Sequence, residues 1–254
     1  MSAPVFLAEP GSLDGHGPGS SYVLEGEEAR HAGIVQRRRA GERIDVADGA
    51  GVRLTCTIAT VEPGRLVLDV VQRDDEPTPA VQIVLVQALA KGDRDEMAIE
   101  AATEVGVDEV VPWQAQRSVV VWRGDRAAKS RARWLATVRA AAKQSRRSRV
   151  PVVATAVTTT GLAARVAQVV ADGGLALVLH EEADAALTAV PVGLAGQREV
   201  LLVVGPEGGI SSEEVDLLTA AGASTVRLGP HVLRTSTAGP VAVALVCARL
   251  GRWG

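Results

Sequence analysis

Apolar and polar residues alternate in short runs over the first part of the chain. Val5–Leu7, Ser21–Leu24, Arg43–Ala47, Val52–Ile58 and Leu66–Val71 each have the period of a half-buried strand. Clusters of Gly, Pro, Asp and Glu separate them, and ADGAG between the third and fourth runs reads as a hairpin loop. Gly26–Arg37 has the spacing of one short helix. The pattern predicts a small β-barrel of five or six strands, a scale used in RNA binding. Charge and two prolines then stop regular structure in a linker over Arg73–Ala80, which places a domain boundary near Thr78.

Beyond the linker the period changes. Val81–Leu89 is almost continuously apolar, as in a strand covered on both faces. Further strands are expected at Glu109–Pro112, Leu175–Leu179, Glu199–Val204 and Thr225–Leu228, with an extended stretch over Pro151–Val157. Helices are expected at Asp93–Val105, Ala127–Arg146, Gly161–Ala171, from Ser211 to Ala221-Gly222, and from Ser236 to Leu250. Ser211 with Glu214 three residues on is a capping-box pattern. This alternation predicts an α/β domain with a mostly parallel sheet. The division is therefore residues 1–77 and 78–254.

The stretch Val203–Pro240 carries the chemistry. Two strands, Glu199–Val204 and Thr225–Leu228, each end in a glycine/proline loop that enters a helix. Such loops present backbone N–H groups at helix N-termini, at the C-terminal edge of a parallel sheet, where polar or anionic ligands bind. GPEGGISSEE is neither GxGxxG nor GxxxxGK[ST], so neither a Rossmann nor a P-loop reading follows.

Composition refines this picture. The chain has 254 residues, 47% of them hydrophobic, and only 2% aromatic, so Ala, Val and Leu must fill the cores. A net charge of −3 argues against indiscriminate polyanion binding by the whole surface, but the charge is uneven. Arg37, Arg38, Arg39 and Arg43 form one basic cluster, readable as a solvated helix end or as phosphate contacts. His31 beside them reads as a helix-surface or packing histidine rather than a ligand. From Lys129 to Arg149 there are eight Lys/Arg and no acid. On the expected helix Arg139, Lys143, Arg146 and Arg147 share a face, while Trp134, Val138 and Ala141 face the core. A single-sign face points to nucleic acid more than to a mixed solvated surface. Cys56 and Cys247 lie far apart in apolar runs and read as reduced core thiols, not metal ligands. No signal-peptide pattern opens the sequence and no apolar run reaches the ~20 residues of a membrane span, so a cytoplasmic protein without membrane contact is expected.

The motifs, taken in order, resemble the bacterial 16S rRNA uridine-N3 methyltransferases of the SPOUT, or trefoil-knot, class. The matching pieces are HAGIVQRRRAGERI, LAKGDRDEM, ATEVGV, QRSVVV, AAKQSRRSRVP, LHEEA, GPEGGISSEE and LGPHVLRTSTA, spread over nearly the whole chain. GPEGG followed by LGPxxLRT is the specific part. The resemblance implies a PUA-like RNA-binding barrel ahead of a knotted α/β methyltransferase domain. It also implies a homodimer, S-adenosylmethionine as cofactor, and a uridine in the decoding region of the small ribosomal subunit as target.

Carried over residue by residue, the resemblance makes Leu179, His180, Gly205, Pro206, Glu207, Gly208, Gly209, Leu228, Gly229, Leu233, Arg234, Thr235, Ser236 and Thr237 candidates for cofactor binding. Arg37, Arg38, Lys91, Arg94, Arg117, Lys143, Arg146 and Arg147 are candidates for RNA contact. Two departures stand out. Ser236 occupies a position where the family usually has glutamate, and Glu100-Ala101 with Thr103-Glu104-Val105 replaces the usual QKxxELGV. Roles tied to the missing glutamate or lysine do not transfer.

Methyl transfer to N3 needs in-line placement and stabilisation of negative charge at O2 or O4. Arg234 is the candidate for that charge, with a structural ion pair as its other reading. Glu207 is a candidate for proton handling or, preferably, for fixing its loop. No general base is identified, and no metal is implied. Three alternatives share some motifs: a knotted methyltransferase acting on ribose or another base, a non-catalytic RNA-binding assembly factor, and a nucleotide-binding regulator.

Overall fold

A computed structural model describes residues 3–253, which divide into two compact units. The first comprises residues up to Thr78 together with Ala142–Val150, and the second Pro79–Ala141 and Pro151 onward. The second visit to the first unit has no sequence signature.

In the first unit, β1 (Val5–Leu7), β2 (Ser21–Glu25), β3 (Arg43–Ala47), β4 (Val52–Glu62) and β5 (Arg65–Asp75) form one sheet in the order β1-β3-β4-β5-β2. β1 runs parallel to β3, and the other neighbours are antiparallel. The β3–β4 hairpin turns through the expected DGAG, where Asp48 Oδ1 accepts the N–H groups of Ala50 (2.7 Å) and Val52 (3.0 Å). Phe6, Leu13, Ile44, Leu54, Ile58, Leu66 and Leu68 make the core.

Two expectations change here. β5 runs through Asp75, into the predicted linker, because Arg73 pairs with Asp75 at 2.7 Å and donates to the carbonyls of Leu13 and His16. The expected helix Gly26–Arg37 is α1 (Gly26–Arg30) followed by a π-helical turn, His31–Val35. The chain then leaves through Arg37 at φ 53°. His31 does pack, edge-on to Phe6.

In the second unit every strand pair is parallel. The strands are β6 (Gln82–Ala88), β7 (Glu109–Gln114), β8 (Val152–Val153), β9 (Val157–Thr158), β10 (Leu175–Leu179), β11 (Glu199–Val204) and β12 (Ser224–Val226). They lie in the order β12-β10-β11-β6-β7-β8, with β9 also on β7. The helices are α2 (Arg94–Val105), α3 (Asp125–Gln144, whose last residues belong to the first unit), α4 (Thr159–Ala171), α5 (Ser212–Ala220) and α6 (Thr235–Arg249). Val84, Val86 and Ala88 of β6 pack with residues of α4 and α5, and Leu85 faces α6. The central strands β6 and β11 are buried on both faces, which explains their near-continuous apolar runs. Among the described residues no helix is long and apolar enough to cross a membrane.

α3 corrects the basic-face expectation. Trp134, Val138 and Ala141 are buried as expected. The helix stops at Gln144, however, and Arg146 has φ 58°, so Arg146 and Arg147 leave the face of Arg139 and Lys143. Members of the cluster also have internal partners. Arg131 donates to the carbonyls of Val153 and Ala154, Arg133 pairs with Glu96, and Arg149 donates to the Glu76 carbonyl. Lys143 pairs with Glu28 at 2.6 Å and lies 4.9 Å from the centre of the Phe6 ring.

Candidate active site

Parallel strands put their carboxyl ends on one edge, so the loops after β10, β11 and β12 converge there. They enclose a cavity of about 450 Å³, within the size range of small-molecule sites. Its walls come from residues 179–181, 204–207, 209–210, 232–235 and 238, with Arg94 beside them.

Nine of the expected cofactor residues line this cavity: Leu179, His180, Gly205, Pro206, Glu207, Gly209, Leu233, Arg234 and Thr235. Gly208, Leu228, Gly229, Ser236 and Thr237 do not line it. Gly208 instead accepts Arg117 Nη1 on its carbonyl at 3.0 Å. Leu228 and Gly229 fall beyond β12, which ends at Val226 rather than at Leu228. Ser236 and Thr237 lie in the first turn of α6, and the Thr237 N–H bonds the Arg234 carbonyl at 2.8 Å.

Sequence reasoning missed Glu181, Val204, Ile210 and Ala238, which complete the lining together with Val232 of the expected last loop. The apolar ones look like ordinary core residues in sequence. Their only signal is adjacency to the glycine loops.

The glycine loop has little freedom. A Cβ on Gly205 would stand 2.6 Å from Ile210 Cγ1, so the turn between them closes only around glycine. At the far end Ser211 caps α5 as the pattern foretold, its hydroxyl accepting the Glu214 N–H at 3.3 Å. The Glu214 carboxylate does more than cap. It also accepts the Gln116 N–H (2.8 Å) and the Thr159 hydroxyl (2.6 Å), tying the loop after β7 to the start of α4.

Glu207 is pinned. Its Oε1 accepts Arg94 Nη1 at 2.7 Å and the Lys91 N–H at 3.2 Å. Partial burial pushes its carboxyl up, but hydrogen bonds from its own backbone N–H, Arg94 and Lys91 outweigh this and hold it below its ordinary value. That is the character of a loop fastener rather than of a proton acceptor at neutral pH.

Arg234 differs. It is the N-cap residue of α6 and its side chain is exposed at the cavity. No hydrogen bond or ion pair engages its guanidinium among the described residues, so the structural-pair reading finds no carboxylate. His180 Nδ1 accepts the Glu182 N–H at 3.3 Å, which in a neutral ring leaves Nε2 as the donor. The expected RNA-contact residues are spread over both units. Lys91 and Arg117 come from loops beside the cavity, and Arg94 is the first residue of α2. Arg37, Arg38, Lys143, Arg146 and Arg147 belong to the first unit, where Arg38 bonds Gln36 and Glu42.

The whole arrangement has close counterparts. Residues 76–247 match the model of the RNA methyltransferase domain family. The ribosomal RNA small subunit methyltransferase E of Mycobacterium bovis is 45% identical over 92% of this chain and 89% of its own length. That of Bacillus subtilis is 32% identical over 86% of each. The crystal structure of the Neisseria gonorrhoeae protein of that name, bound to S-adenosyl methionine, superposes with a TM-score of 0.83 at 27% identity, covering 97% of this chain and 98% of that one. Given these matches along nearly its full length, the chain belongs to the ribosomal RNA small subunit methyltransferase E family.

Proposed function

We propose that this protein transfers a methyl group from S-adenosylmethionine to N3 of a uridine in 16S rRNA of the small ribosomal subunit. The observation that carries the reading is the three-loop cavity, in a chain of this family. The first unit serves as a PUA-like β-barrel that holds RNA. The second is a trefoil-knotted SPOUT domain, and the protein works as a cytoplasmic homodimer.

The residues present suit the cofactor. Leu179, Val204, Ile210, Leu233 and Ala238 offer an apolar slot for an adenine ring. The missing Cβ of Gly205 keeps the loop tight against it, and His180 Nε2 and backbone groups supply polar contacts. When bound, S-adenosylmethionine supplies an electrophilic methyl group on a sulfonium.

The chain's own residues do the rest. Arg234, which no carboxylate neutralises among the described residues, stabilises the negative charge that grows on a uracil oxygen as N3 gives up its proton to solvent. Glu207 fixes the loop and keeps Arg94 and Lys91 beside the cavity mouth. Lys91, Arg94 and Arg117, with Arg37, Arg146 and Arg147 on the first unit, hold the phosphate backbone, which positions the target without reading its sequence.

The test uses labelled S-adenosylmethionine and small ribosomal subunits from a strain lacking the modification, followed by nucleoside mass spectrometry. Label in 3-methyluridine is the expected result. Label on a ribose or on another base would overturn the uridine-N3 assignment. Absence of both transfer and cofactor binding would overturn the enzymatic reading.

A further inference from the structure

Gln87 is a polar side chain in a strand that otherwise buries only apolar ones. It is fully buried near the end of β6, paired in register with Val204 of β11 and Pro112 of β7. It therefore stands at the sheet edge where β11 becomes the cavity loop, yet it is not part of the cavity wall.

Its amide is committed in one direction. Gln87 Nε2 donates to Thr235 Oγ1 at 2.9 Å and, more weakly, to the Ala88 carbonyl at 3.3 Å. Thr235 Oγ1 donates its single proton to the Gly205 carbonyl at 2.7 Å. Having spent that proton, the hydroxyl can only accept from its other neighbour, which must be an N–H. That requirement orients the Gln87 amide and leaves Oε1 buried with no partner among the described residues. A leucine or methionine would fill this place without an unpaired acceptor. The position tolerates that acceptor for the sake of the donor.

We infer that Gln87 is a positioning residue for cofactor binding: by holding the Thr235 hydroxyl on the Gly205 carbonyl, it locks two walls of the cavity at a fixed separation. Gly205 begins the loop after β11, and Thr235 begins α6. Both line the cavity, and this relay joins them through a side chain. The inference rests on the reading that the cavity takes S-adenosylmethionine.

The experiment measures S-adenosylmethionine binding to the full-length protein by calorimetry, with steady-state kinetics alongside. Gln87→Met keeps the volume and removes the donor, while Thr235→Val removes the relay from its other end and leaves β6 untouched. Each is expected to weaken binding by roughly fivefold, the scale of one net hydrogen bond. The loss should fall on KM for the cofactor rather than on kcat. The double variant should be no weaker than about twofold beyond either single one, because both changes break the same chain. Thr235→Ser, which keeps the hydroxyl, should restore binding.

Wild-type affinity in Gln87→Met, or losses that add in full, would overturn the inference while leaving the cofactor reading intact. Failure of the wild-type protein to bind S-adenosylmethionine would overturn both. If Gln87→Met does not fold, the Thr235 pair decides: equal affinities for Val and Ser would reject the relay.

Discussion

Arg94 Nη1 sits 2.7 Å from Glu207 Oε1, and this one oxygen also takes the Lys91 N–H. The loop after β6 is thereby fastened to the glycine loop after β11. Because the folded carboxyl lies below its ordinary value, the fastening is complete above the ordinary carboxylate range, near pH 4.3, and is lost as pH falls through the folded value. Between pH 6 and 9 Glu207 stays ionised. Glu207→Gln is therefore expected to leave the shape of the pH–rate profile unchanged over that range and to lower kcat/KM by about two- to fivefold. Disappearance of a limb of the profile in this variant would make Glu207 the base.

Arg234 is expected to act on the transition state. Arg234→Ala should lower kcat by about 10²-fold, the scale of one lost charge-stabilising donor, with cofactor affinity within about threefold of wild type. Single-turnover methylation together with cofactor titration separates the two. Equal losses in binding and turnover would make Arg234 a cofactor anchor instead.

Gly205→Ala tests the turn. The added Cβ would meet Ile210 Cγ1 at 2.6 Å, and Ile210 lies against the core, so the loop must move. A destabilisation of about 1–3 kcal/mol is expected from overpacking, measured by urea unfolding. Cofactor affinity should fall by at least about tenfold, because the displaced residues are cavity wall.

Cys56 gives the first unit an alkaline weakness. Burial pushes its thiol up to about 12, helped by the negative charges of Asp45 and Asp69. The unfolded thiol ionises near 8.5, so its contribution to stability is complete below that value and is lost as pH rises toward 12. The urea midpoint should fall between pH 8 and 10 more steeply in wild type than in Cys56→Ala. Parallel slopes would count against this account.

Sequence pattern located most of the elements because local signals were strong. Leu175–Leu179 and Glu199–Val204 are apolar runs ending at polar or glycine residues, and they are strands with those bounds. Ser211 and Glu214 announced their cap three residues apart. What local pattern could not carry was partnership over distance. Nothing near Lys143 says that Glu28 will neutralise it, and nothing in RRSR says that the helix stops before Arg146. Likewise Gln87 reads as a strand residue until Thr235, 148 positions later, stands beside it.

The return of residues 142–150 to the first unit governs how the protein can be dissected. A single cut at Thr78 does not separate the units. A fragment ending there lacks the Lys143 ammonium that neutralises Glu28 and the Val150 side chain that packs with Val5, Leu7 and Ala47. The complementary fragment carries that stretch with nothing to receive it. Cutting the chain at Thr78 therefore leaves the first unit without one of its own segments, and adding the complementary fragment in trans is expected to restore part of its stability.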